Sequence, residues 1–138
     1  MNSRLHRELR ENKGYVYTVE SNVSLLSDTG LLAIYFGCDP ANVSKCRKLV
    51  EKEVDMLCSS PLNPVTFEKV KRQYCGQLIS STDQIENRAM SLGKSVMYFN
   101  KIHDISTTIE KIMAIQPEDM RRVAETIFSS GFSVLTLT

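Results

Sequence analysis

The hydrophobic pattern of this chain switches between a period of two and helical spacing, and that switching restricts the possible folds more than any single motif. Tyr15, Tyr17, Val19, Ser21, Val23 and Leu25 alternate with Thr18, Glu20, Asn22 and Ser24, the period-two signature of a half-buried strand. Ser27-Asp28-Thr29-Gly30 supplies turn chemistry, and Leu31 to Gly37 reads as a second, more apolar strand. Two such runs joined by a short polar turn form an antiparallel hairpin. Beyond it the apolar residues recur at helical intervals.

Before the hairpin, Met1, Leu5 and Leu9 lie four apart among charges and form one face of a helix. Asn12-Lys13-Gly14 ends that helix with a cation in the last turn and a glycine for the left-handed cap. After the hairpin, Asp39-Pro40 offers a cap and a first-turn proline to the stripe Val43, Cys46, Val50, Val54 and Leu57. Ser59 to Pro64 is a loop, with Asn63 or Thr66 capping a helix striped by Phe67, Val70, Tyr74 and Leu78. Ser81 and Gln84 have capping-box spacing ahead of Ile85, Ala89, Leu92, Val96 and Phe99. Shorter helices are expected at Thr107–Ala114 and Pro117–Phe128, then a closing strand at Phe132–Leu137.

The fold class is therefore α+β, with helices packed on one face of a mainly antiparallel sheet. No repeat, low-complexity tract or linker divides it, so residues 1–138 read as a single domain. Three strands make a small sheet for five helices to cover. A chain that opens in a helix, with no strand before it, reads as a domain lacking its first strands.

Composition excludes several function classes. Seventeen Lys and Arg against sixteen Asp and Glu leave a net charge of +1, which generates no broad field for nucleic acid or an anionic membrane. The longest apolar run, Leu31 to Phe36, is too short to span a bilayer. The first residues carry charge without the apolar core of a signal peptide. Cys38, Cys46, Cys58 and Cys75 fit no C-x-x-C spacing and read as reduced thiols, placing the chain in the cytoplasm; an export signal on a longer parent chain lies outside this argument. The methionines read as core filler. Lys69, Lys71 and Arg72, interrupted by Glu68, read as a solvated helix face.

Ser3-Arg4-Leu5, then Leu9-Arg10-Glu11-Asn12-Lys13-Gly14-Tyr15-Val16-Tyr17, is similar to the stretch "SRL…LRE..G..Y" of the pitrilysin, insulin-degrading enzyme and mitochondrial processing peptidase family of zinc metallopeptidases. Asp28-Thr29-Gly30-Leu31 with Ile34-Tyr35 resembles that family's "DTG…IY" hairpin. Phe67-Glu68-Lys69-Val70-Lys71 with Gln77-Leu78, Asn87 to Gly93, and Pro117-Glu118-Asp119-Met120 continue the match in order. The resemblance is to the second, inactive domain. It implies further strands and a glycine run before Met1, so that this chain is about the last two-thirds of one such domain.

Family enzymes pair two similar domains around a chamber, and the first carries H-x-x-E-H, in which two histidines hold zinc and the Glu activates water. The two histidines here, His6 and His103, each lack a partner four residues on; both read as surface residues. The chain is expected to hold no zinc and to hydrolyse nothing alone, with zinc residing in a catalytic partner domain of the same or a second chain. The resemblance implies that Arg10 and Tyr17, seven positions apart, reach peptide substrate across the cleft. Arg offers a permanent forked donor and Tyr a hydroxyl that can donate to a developing oxyanion. Taken alone, Arg10 is a solvated helix residue and Tyr17 a core-facing strand residue. The rival reading is an inert scaffold resembling the core subunits of respiratory complexes, for which a donor pair has no use. In either case an open sheet edge favours a homodimer.

Overall fold

A computed structural model describes residues 3–26, 28–102 and 104–137. A single turn of α-helix, α1 (Arg4–His6), runs directly into a π-helical segment (Arg7–Asn12). Two antiparallel strands follow, β1 (Val16–Leu25) and β2 (Gly30–Cys38). A 3₁₀ turn (Pro40–Asn42) leads to α2 (Val43–Ser59), α3 (Pro64–Thr82), α4 (Ile85–Phe99), α5 (Ile105–Ala114) and α6 (Pro117–Phe128). The class is α+β, as the change of period requires. The chain divides into two compact units, Met1–Ser60 with Ala124–Thr138, and Pro61–Val123.

The first unit is built on the hairpin. Gly14 adopts φ +61°, a left-handed conformation that L side chains avoid, and closes the opening helix as its sequence position implies. There the Gly14 N–H donates to the Arg10 carbonyl and the Tyr15 N–H to the Leu9 carbonyl. Leu9, fully buried, packs with Val16, Cys46 and Val50, flanked by Leu5, Tyr15, Val19, Ile34, Phe36, Cys38 and Leu49. The π-helical segment and α2 thus cover one face of the hairpin.

Strict alternation fails at one point. Val16 pairs with Cys38 and Thr18 with Gly37, which leaves Tyr17 as an extra residue in β1. This bulge lets both Val16 and Val19 face the core, whereas the period-two pattern would bury Tyr17 between them. Tyr17 is instead 64% exposed. Farther out, Val23 and Leu25 are exposed as well. The turn itself is closed by the Leu26 N–H donating to the Thr29 carbonyl, with Ser27 outside the described residues. Phe132–Leu137 forms no strand: the described ladder consists of β1 and β2 alone, this β-prone segment pairs with neither, and Val134, Leu135 and Leu137 are exposed.

In the second unit the buried stripe of α3 is Phe67, Lys71 and Cys75, one residue away from the apolar pattern at Val70 and Tyr74, which are exposed. Lys71 explains the shift. Its ammonium donates to the carbonyls of Met113 (2.8 Å) and Ile115 (3.1 Å) and pairs with Glu68 at 2.6 Å. It thereby satisfies carbonyls at the carboxyl end of α5, which no further helical turn can satisfy. The basic face expected from Lys69, Lys71 and Arg72 accordingly loses its middle member to the interior.

Asn63 caps α3 by accepting from the Val65 N–H at 2.9 Å. The expected capping box does not form. α3 runs on through Ser81, whose hydroxyl donates back to the Leu78 carbonyl, and Gln84 becomes the N-cap residue of α4 with its amide oxygen accepting from Asn87. No residue of α4 is buried; Ile85, Leu92, Val96 and Phe99 are exposed, as are Met90 and Met97.

Two substitutions test this account by denaturant unfolding. Leu9→Ala removes a fully buried side chain and should cost about 2–5 kcal/mol. Lys71→Met leaves two carbonyls without their donor, each worth about 1–3 kcal/mol when desolvated, while exposed Lys69→Met should stay within about 0.5 kcal/mol of wild type.

Candidate functional site

The backbone departs from regular geometry at two nearby places in the first unit, and each carries one of the residues singled out by sequence. Arg10 lies on the π-helical segment, one position after buried Leu9, and is exposed. Tyr17 is the bulged residue of β1. Both irregularities belong to types that recur at functional sites, because each re-aims a side chain that regular structure would direct elsewhere. Gly14 makes the turn between them.

The phenol of Tyr17 has a specific partner. Its hydroxyl donates to Asp39 Oδ1 at 2.8 Å. Sequence spacing suggests Asp39 as the cap of the following helix, but its carboxylate makes no capping bond to the 3₁₀ turn; it faces Tyr17 instead. The hydrogen bond to Asp39, then that carboxylate's charge, raises the Tyr17 pKa above the ordinary tyrosine value, because both favour the protonated phenol. Tyr17 is therefore a neutral hydroxyl at physiological pH with its one hydrogen engaged. Nothing in the sequence pattern signals this pair, since the two residues lie 22 positions apart and meet only because the hairpin returns Asp39 to the base of β1.

Under this surface sit two thiols that spacing does not associate. Cys38 ends β2, Cys46 lies on α2, and they pack in one cluster. Burial, then the neighbouring Cys38, pushes the Cys46 thiol up to about 11. Cys38, Cys46 and Cys75 are free thiols.

On the core side of the hairpin, Leu5, Leu32, Ile34, Val54, Leu57 and Phe128 line an apolar cavity of about 210 Å³. At its wall Arg4 Nε lies 2.8 Å from Oε2 of buried Glu53, an ion pair without hydrogen-bond alignment. His6 Nδ1 lies 3.3 Å from Glu11 Oε1 and the ring is half-buried rather than on the open surface; His103 is outside the described residues. Among the described residues no three His, Cys, Asp or Glu side chains group as metal ligands. No described helix is long and apolar enough to cross a membrane.

Comparison with known proteins places these features. The family model described as the peptidase M16 inactive domain matches residues 1–74, and the chain belongs to that family as its C-terminal inactive domain. It is similar to an uncharacterized zinc protease of Streptomyces coelicolor, 28% identical over 127 residues covering 92% of this chain and 28% of that protein. An uncharacterized zinc protease of Bacillus subtilis is 24% identical over 138 residues, covering 100% of this chain and 34% of the relative. The mitochondrial-processing peptidase subunit alpha of Pongo abelii is 26% identical over 140 residues, covering 99% and 26%. The chain thus spans about a third or less of the length of these curated relatives.

The buried thiol makes a pH prediction. Between the ordinary cysteine value of 9.0 and about 11, Cys46 keeps its proton when folded and loses it when unfolded. The unfolded state then binds fewer protons, so stability falls as pH rises through that window. Denaturation midpoints measured from pH 8 to 11 should show this decline, and Cys46→Ala should flatten it.

Proposed function

We propose that this chain is the non-catalytic, substrate-binding part of a zinc metallopeptidase, one partial domain that contacts extended peptide across a cleft from the zinc site of a catalytic partner domain. The observation that carries the reading is the placement of Arg10 and Tyr17. Both are exposed, both sit where the backbone leaves regular geometry, and Gly14 turns the chain between them. An extended peptide presents unpaired carbonyls and N–H groups at every residue. A guanidinium supplies forked donors to such carbonyls, and an exposed phenol oxygen supplies one more polar contact.

The scaffold reading leaves these two residues without work. The neighbouring apolar cavity is walled by an internally neutralised ion pair, so it offers no competing polar site. Zinc and the hydrolytic step belong to the partner domain. The free thiols support a reducing compartment, the cytoplasm, and the two-stranded ladder has an open edge on each side through which a second copy could pair.

Fluorescence anisotropy with a labelled, unstructured peptide tests the reading on this chain. Arg10→Ala should weaken binding roughly 10-fold or more, the order expected for losing a hydrogen bond from a charged group. Tyr17→Phe should weaken it less. Wild-type affinity in both variants would remove the basis for a substrate-binding role.

A further inference from the structure

Cys38 and Cys46 share one cluster of the first unit. Cys38 is the last residue of β2 and pairs across the ladder with Val16. The 3₁₀ turn Pro40–Asn42 then redirects the chain, so that Cys46, on the first turn of α2, packs back against the hairpin it has just left. Cys46 is fully buried and Cys38 only partly. The Cys46 thiol donates its hydrogen to the Cys38 sulfur. The two thus differ in access: an oxidant reaches Cys38 from solvent and does not reach Cys46. Burial first, then the neighbouring Cys38, keeps Cys46 protonated, which makes it a poor first nucleophile. An accessible sulfur beside a sheltered one is the arrangement in which the first is oxidised and the second resolves it. Cys58 cannot take the place of Cys46, because it lies twelve residues farther along α2, about 18 Å at the helical rise.

We propose that Cys38 and Cys46 are a peroxide-responsive thiol pair that closes into a disulfide and staples β2 to α2. Cys38 gives up its proton and attacks one peroxide oxygen. The O–O bond breaks, the departing hydroxide takes up that proton, and the products are water and a sulfenic acid on Cys38. The Cys46 sulfur then attacks the Cys38 sulfur. As the S–S bond forms the S–O bond breaks, and the Cys46 hydrogen, already directed at that residue, leaves with the oxygen as a second water. Two thiols lose two electrons and two hydrogens, and one peroxide is reduced to two waters. The bridge spans the segment that carries Asp39, so closure ties the base of the hairpin to α2 beside Tyr17. In a reducing compartment the pair stays open, and disulfides that do form there are transient and redox-sensing.

The test treats the reduced 138-residue chain with hydrogen peroxide, alkylates remaining thiols in denaturant, and digests without reduction. Trypsin cuts after Lys45 and Arg47, which puts the two cysteines on separate peptides. Monomeric wild-type chain should yield those peptides joined, two hydrogens lighter than their sum, and dithiothreitol should release them. C46S cannot resolve the sulfenic acid, so dimedone should label it at Cys38. C38S should give neither a bridge nor a label at Cys46. Closure should also raise the melting temperature by about 5 °C or more, as expected for a cross-link that restrains the unfolded chain. An unmoved midpoint in fully bridged chain would show that the bond staples nothing. Recovery of Cys46 as an alkylated thiol beside an over-oxidised Cys38 overturns the pairing in the wild-type chain, whether or not either variant folds. So does a bridge from Cys38 to Cys58, to Cys75 or to a second copy, and so does peroxide leaving both thiols untouched. A dimedone label on Cys46 in C38S overturns the order of attack.

Discussion

Contact among Leu9, Val16, Cys46 and Val50 holds the first unit together. Leu9 belongs to the π-helical segment, Val16 to β1, and Cys46 and Val50 to α2, so one small apolar cluster joins three elements that are separate in sequence. Its location at the base of the hairpin matters. The cluster anchors the strand end where Val16 pairs with Cys38, leaving the distal half, with Val23, Leu25 and Leu31, exposed. Packing in this unit is therefore tightest next to Arg10, Tyr17 and Asp39.

The bulge follows from the same cluster. Two valines three positions apart, Val16 and Val19, both pack against it, which a regular strand cannot arrange because sides alternate every residue. An extra residue between them resolves the conflict. Core packing thus decides the backbone, and the backbone then presents Tyr17 to solvent and to Asp39.

Most of the architecture was legible in the sequence because it depends on local period and on strong punctuation. The change of period located the hairpin and α2, Gly14 located the helix stop, and Pro117 opened α6 at the expected residue. Errors arose where a tertiary partner outweighed a local preference. Lys71 displaced an apolar stripe because α5 ends over it. Ser81 stayed inside α3 instead of capping α4. Phe132–Leu137 has strand composition but pairs with neither described strand. Arg10 and Tyr17 stood out by resemblance, while Asp39 was hidden behind an equally good explanation, that of a helix cap. A motif of identities cannot reveal which of two roles a carboxylate takes when the choice depends on a hairpin register.

The bulge also separates two demands that usually compete within one strand. A residue in the ladder's regular alternation answers to its neighbours in the core, so changing it disturbs folding whatever else it does. Tyr17 is excused from that duty, since Val16 and Val19 do the packing on either side of it. Variation at this position is then nearly uncoupled from folding, and its chemistry can drift or be refined by whatever meets the hydroxyl. A single inserted residue has made room for adaptation at the surface while the interior stays unchanged.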